Sequence, residues 1–335
     1  FVFCTMDHLQ LLPFHGTPVL LSMYVITDFT FIRLVESVRA AKDAALRAII
    51  QYTRLTCWTK DDEKNVANLL GNNCLFVDAF DDPLIPNDAV FVFGRKEPCR
   101  AAEAILMERM KRLYPNEYRL INCHDKESTT GGNWHDASEG TRLRLDRNIK
   151  QRRQLVLYPR ARFEFTHVVK NKFNQGQLAL LLDVPPDEII NNQRALEVYK
   201  APSGVKHYPT DSNCTSEQLI TNGWIKVKIT FKTTSTEQVG RRLQARRTQY
   251  GIKPRVSSTI HACMGSTLPA IVTAVVAVTG MPYDFSLWEA AMVVVLLSRT
   301  RYANQIVFVG DKRETVTHLI KNSHQQTASV RPVYY

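Results

Sequence analysis

Short apolar runs alternate with helical periodicity at both ends of the chain, whereas the middle is dominated by strand signals. That order restricts the fold to an α/β layer, a β-rich insertion, and a resumption of the same layer. Phe1–Phe3 reads as a strand running into a loop that ends at Pro13. Leu34, Val38, Ala41, Ala45, Ile49 and Tyr52 fall at helical spacing within residues 31–55. Residues 74–77 and 89–93 are rich in aromatic and β-branched side chains and read as strands. Ala102, Ile105, Leu106 and Met110 mark a helix over 101–113. Residues 126–142 are polar and contain glycine, which predicts a loop and a change of subdomain. Strand signals follow at 155–158, 178–182, 196–199 and 225–229, with turns at Pro185, Pro186, Pro202 and Gly204. The α/β pattern returns at Val256, with strands near 270–278 and 305–309 flanking an apolar helix near 286–297.

Hydrophobic residues make up 44% and charged residues 22%, ordinary values for a folded chain of about two domains. No apolar run approaches the roughly 18 residues of a membrane span. The seven cysteines include no C-x-x-C pair, and an odd count argues against a disulfide scaffold. Reduced thiols in an intracellular compartment are the expectation, and no metal site is expected. Net charge is +11, and it is clustered. Ten basic residues lie between Arg142 and Lys172 against Asp146 and Glu164 alone. Residues 238–255 hold Arg241, Arg242, Arg246, Arg247, Lys253 and Arg255 and no acid. Clusters of one sign suit a polyanion such as nucleic acid; a solvated basic face is the alternative.

Four blocks carry chemistry. Asp7 and Gln10 follow directly on a buried strand, where α/β sheets place ligand-binding groups. Arg39 stands within the helical pattern that follows. Residues 257–268 read Ser-Ser-Thr-Ile-His-Ala-Cys-Met-Gly-Ser-Thr-Leu, a hydroxyl-His-Gly segment able to offer N–H groups and hydroxyls to a phosphodiester. Arg299 follows a buried apolar helix, from which a guanidinium can stabilise charge on a transferring phosphoryl group; Arg301 takes that role if the register slips.

In this order the blocks resemble motifs III to VI of superfamily-1 DNA helicases of the Pif and RecD type. The first resembles Gly-Asp-x-x-Gln-Leu-Pro-Pro, with Asp7, Gln10, Leu11 and Pro13 in register and Met6 and Leu12 departing. Leu34–Asp43 resembles motif IV, with Arg39 as its arginine. The third resembles Thr-Ile-His-x-x-Gln-Gly-x-Thr through Thr259, Ile260, His261, Gly265 and Thr267, with Ala262 and Met264 replacing polar residues. The last resembles Val-Ala-Leu-Ser-Arg.

The resemblance implies an α/β fold: a second RecA-like lobe of the P-loop NTPase type carrying a β-rich, SH3-like insertion. Residues 1–30 would close the first lobe; 31–125 and 236–325 would form the second lobe, 126–235 the insertion and 326–335 a tail. It implies an ATP-dependent DNA helicase that couples hydrolysis to movement along single-stranded DNA and unwinding of forked DNA, 5′-to-3′. Gln10 and Arg299 would be catalytic. Asp7, Arg39, Gly265 and Arg301 would lie beside the nucleotide. Thr259, His261, Thr267, Arg241, Arg242, Arg246 and Arg247 would hold the strand. No G-x-x-x-x-G-K-[ST] occurs, so ATP and Mg²⁺ are expected to be bound mainly by a missing N-terminal lobe, and the chain alone is expected to be inactive. The nucleus or mitochondrion is the expected compartment in a eukaryote. A non-enzymatic nucleic-acid-binding remnant is the alternative, motivated by Met6, Ala262 and Met264.

Overall fold

The computed structural model describes residues 39–54, 58–129, 132–192, 195–205, 208–209, 213–238 and 243–324. The described residues form two compact units, one of those up to 105 and from 257 onward, the other of those between 106 and 256.

The first unit begins with α1 (Ala44–Thr53) and α2 (Lys60–Asn73). Of the helical pattern over 31–55, residues 31–38 and 55 lie outside the described residues; α1 starts at Ala44, and Arg39 lies in the turn before it. Asp43 sets that start, its carboxylate accepting from the Leu46 amide at 2.9 Å. Thr59 and Asp62 form a reciprocal capping box on α2. Strands β1 (Leu75–Val77) and β2 (Val90–Phe93) follow, then α3 (Lys96–Leu113).

The second unit is built of antiparallel strands: β3 (Arg119–Asn122), β4 (His124–Thr129) and β5 (His135–Asp136); after α4 (Glu139–Asn148), β6 (Gln154–Leu157), β7 (Arg162–Phe165) and β8 (Leu178–Leu180). Past α5 (Asp187–Asn191) come β9 (Leu196–Lys200), α6 (Ser216–Thr221), β10 (Ile225–Ile229), β11 (Phe231–Gln238), β12 (Leu243–Tyr250) and β13 (Ile252–Pro254). Its sheets run β10-β9-β8-β7-β13, β11-β12-β4-β5 and β3-β6. The segment expected as a loop, 126–142, instead holds most of β4, all of β5 and the start of α4. Its polar composition misleads because β4 buries Asp125 and Ser128, and Ser138 caps α4 through the Thr141 amide. The core gathers Leu155, Leu157, Phe163, Phe165, Val198 and Tyr250 among others, with Phe165 and Phe173 stacked at 3.9 Å.

The chain re-enters the first unit as β14 (Ser257–Thr259), β15 (Ile271–Thr273), α7 (Ala290–Leu297), β16 (Ile306–Val309) and α8 (Lys312–His324). The central sheet runs β1-β16-β15-β2-β14, every described pairing parallel. This is the α/β architecture of a RecA-like lobe. β2 and β16 are buried at every residue, as strands covered on both faces are. β15 spans 271–273 rather than the whole apolar run 270–278; Thr273 ends it by donating its hydroxyl to the Val92 carbonyl at 2.6 Å. Among the described residues no helix is long and apolar enough to cross a membrane.

Candidate nucleotide- and strand-facing site

α7 reads Ala-Ala-Met-Val-Val-Val-Leu-Leu, apolar on all sides, and is packed into the core of the first unit. Its last carbonyls need partners from outside the helix. Arg39 supplies one: its Nη1 donates to the Ser298 carbonyl while its Nε donates to Thr267 Oγ1 at 2.9 Å. A cation at a helix C-terminus also complements the helix dipole. Asp43 braces the same corner, Oδ1 accepting from Leu46 and Oδ2 from the Ala303 amide at 2.7 Å. The Leu268 amide donates to the Arg299 carbonyl at 2.8 Å. Three segments remote in sequence thus meet at one arginine. Ser298 and Asp43 lie inside the blocks resembling motifs VI and IV but were not singled out, because Ser298 acts through its backbone carbonyl and the Asp43 carboxylate accepts only from backbone amides.

Burial lowers the Arg39 pKa; the Cys263 thiol opposes that shift, and the like charge of Arg301 adds to it. Arg301 itself is exposed. Among the described residues no carboxylate pairs with either guanidinium. Two neighbouring cations without an acid are suited to an anion with several charges.

Arg299 departs from the expectation that it reaches out to a phosphate. It is 2% exposed; its Nε donates to the Val295 carbonyl at 2.9 Å and its Nη2 to Ser298 Oγ at 2.6 Å. In this arrangement Arg299 holds Ser298, whose carbonyl in turn holds Arg39. Asp7 and Gln10 lie outside the described residues.

The segment after β14 is a tight turn. Thr259 takes the Cys263 amide on its carbonyl (3.1 Å) and the Ala262 amide on its hydroxyl (3.3 Å). Cys263 is buried at the centre, and Gly265 has φ +75°, a left-handed conformation that glycine adopts without strain. Thr267 leaves the turn at Arg39. His261 lies at the other end, half-buried, its ring centroid 6.2 Å from that of Trp288.

In the second unit, Arg247 is a correction. It is fully buried, with Nε and Nη2 donating to the two oxygens of Asp125 at 2.7 and 2.6 Å, Nη2 also 2.8 Å from Asp146, and Nη1 donating to the Gln151 carbonyl at 3.0 Å. Burial alone would lower its pKa; the Asp125 hydrogen bonds and the surrounding negative charge outweigh that and raise it. Such a guanidinium is not presented to a nucleic acid. Arg246, next along the strand, lies 4.2 Å over the Trp134 ring; Arg241 and Arg242 lie outside the described residues. The basic run 142–172 is also partly engaged within the unit: Arg153 pairs with Glu139 and Asp146, and Arg160 donates to the Cys214 carbonyl.

No protein-family model matches the chain. No curated protein matches it significantly. Solved structures do. A Pif1 helicase from Candida albicans superposes with a TM-score of 0.51 at 14% identity, over 86% of this chain and 59% of that one. A Bacteroides Pif1 bound to single-stranded DNA gives a TM-score of 0.50 at 15% identity, over 84% of this chain and 53% of that one. The chain therefore has the fold of part of these helicases, and it spans between 53% and 59% of their lengths.

Proposed function

We propose that this chain is the C-terminal part of an ATP-dependent DNA helicase that moves along single-stranded DNA, 5′-to-3′, and opens forked duplexes. The observation that carries the reading is the Arg39 junction, which ties together Arg39, Thr267 and Ser298 from the segments resembling motifs IV, V and VI. Arg39 and Arg301 would face the γ-phosphate of ATP, and Arg299 would act by positioning Ser298. Gln10 and Asp7 would complete that face. The sequence carries no P-loop motif, so ATP and Mg²⁺ would be held mainly by residues outside this chain. Thr259, His261, Thr267 and Arg246 would face the strand, with affinity falling steeply as salt rises. The nucleus or mitochondrion is the proposed compartment in a eukaryote.

A DNA-binding remnant without hydrolysis is the second reading. It is favoured by Ala262 and Met264, both exposed on the turn where the family carries polar side chains. One experiment separates the two: DNA-stimulated ATP hydrolysis by this chain joined to a lobe that carries a P-loop. The helicase reading expects turnover that Arg39→Ala or Arg301→Ala lowers by about 10² or more, as loss of a phosphate-facing arginine does. Hydrolysis indifferent to both changes sinks it, and DNA binding without hydrolysis supports the remnant.

A further inference from the structure

β2 and β14 are parallel neighbours, with Thr259 in register with Phe93, so both chains leave the sheet at the same end. The Ile260 amide donates to the Phe93 carbonyl at 2.9 Å and carries the pairing one residue further. Gly94 and Arg95 emerge from one strand and His261 from the other, at the carboxyl ends where α/β sheets bind ligands. Trp288 lies over both. A Cβ at position 94 would come within 2.8 Å of Trp288 Cζ3, so only glycine lets the indole sit against the backbone there. His261 is near-parallel to the indole, 22° between planes. The Arg95 guanidinium lies 5.3 Å from the indole centroid and is held by Asp284 at 2.9 Å. Asp284 is fixed in turn by the Ser286 amide and hydroxyl, at 2.9 and 2.6 Å.

The indole is thus seated by backbone, imidazole and guanidinium, and it still leaves 43% of its surface open. That open face can take a further planar group. Its surroundings select one: flat π-faces already near-parallel, with the cations Arg95 and Lys96 exposed beside them, match an unpaired nucleobase on a phosphodiester chain. We infer that Trp288, with His261 and Arg95, is a stacking platform for one base of single-stranded DNA.

The platform rests on the nucleic-acid reading above, so its test must tell the two apart. Anisotropy of a labelled oligo-dT is measured with the full chain at about 50 mM salt, beside an oligonucleotide of the same length carrying abasic sites. Wild type is expected to prefer oligo-dT by about 10-fold. Trp288→Leu, which keeps apolar bulk over Gly94, is expected to lose that preference, and Trp288→Phe to keep most of it. The slope of log affinity against log salt should stay the same in both variants, because no phosphate contact is removed. Thermal melts verify that the variants fold. Equal binding of the two oligonucleotides by wild type overturns the platform, and so does a preference undiminished in Trp288→Leu; either leaves DNA binding itself standing. No binding by wild type overturns both readings.

Discussion

Arg246 and Arg247 are neighbours on β12, and their side chains leave the strand on opposite faces. One rests on Trp134 at the surface; the other is sealed against Asp125 and Asp146. Arg247→Ala would leave Asp125 buried without its counter-charge, a loss of about 3–5 kcal/mol for such a pair. Chemical denaturation of the variant should show a midpoint shift of that size, while its affinity for single-stranded DNA, where it still folds, should match wild type. A variant as stable as the parent would mean that the ion pair is not formed. Charge counting along 238–255 could not separate these two arginines, because a run of like charges says nothing about which face each residue takes. The buried role becomes visible only when Asp125 is paired across from Arg247 in the β4–β12 register, a contact between residues 122 apart. Arg39 was singled out for the opposite reason: its neighbours in sequence resemble a known pattern, although its partners Thr267 and Ser298 are far away.

Elements of both units were readable, including β6, β8, β9 and β10 at the expected 155–158, 178–182, 196–199 and 225–229. In the parallel layer, β2, β16 and α7 are continuous apolar runs, and a run buried on all sides needs no tertiary context to be seen. β4 was missed because the residues it buries, Asp125 and Ser128, are polar, and α4 because it buries only Thr141 and Leu145. α8 carries a further polar group set by its packing: His318 Nε2 accepts from the Leu287 amide at 3.4 Å. Burial chiefly, with Lys321 adding and Asp284 opposing, lowers the His318 pKa below its ordinary 6.5. The unfolded chain therefore takes up this proton first. Folding stability from this group is complete above about pH 6.5 and falls as pH drops through that value toward the lower folded one. Stability measured between about pH 7 and pH 5 should decline less steeply in His318→Gln than in wild type; identical slopes would remove His318 as a contributor.

At the scale of the whole molecule, the β-rich unit is one uninterrupted stretch, 106–256, set into a lobe made of two pieces. It is wider than the strand-rich segment 126–235 because β3 pairs with β6 and because β12 and β13 close its sheets. The two crossing points lie close together, Ser257 donating to Glu103 at 2.6 Å. With its own core, residues 106–256 expressed alone should unfold in a single cooperative transition, followed by circular dichroism in urea. A broad, non-cooperative curve would refute its independence. The tight turn after β14 has a different consequence. One end is pinned at Thr267 to the arginine that would feel a phosphate, and the other displays His261 against an open indole. With Cys263 buried between those two ends, a shift of the threonine would, under the proposed function, be carried to the imidazole, so that one short piece of backbone would serve fuel and track together.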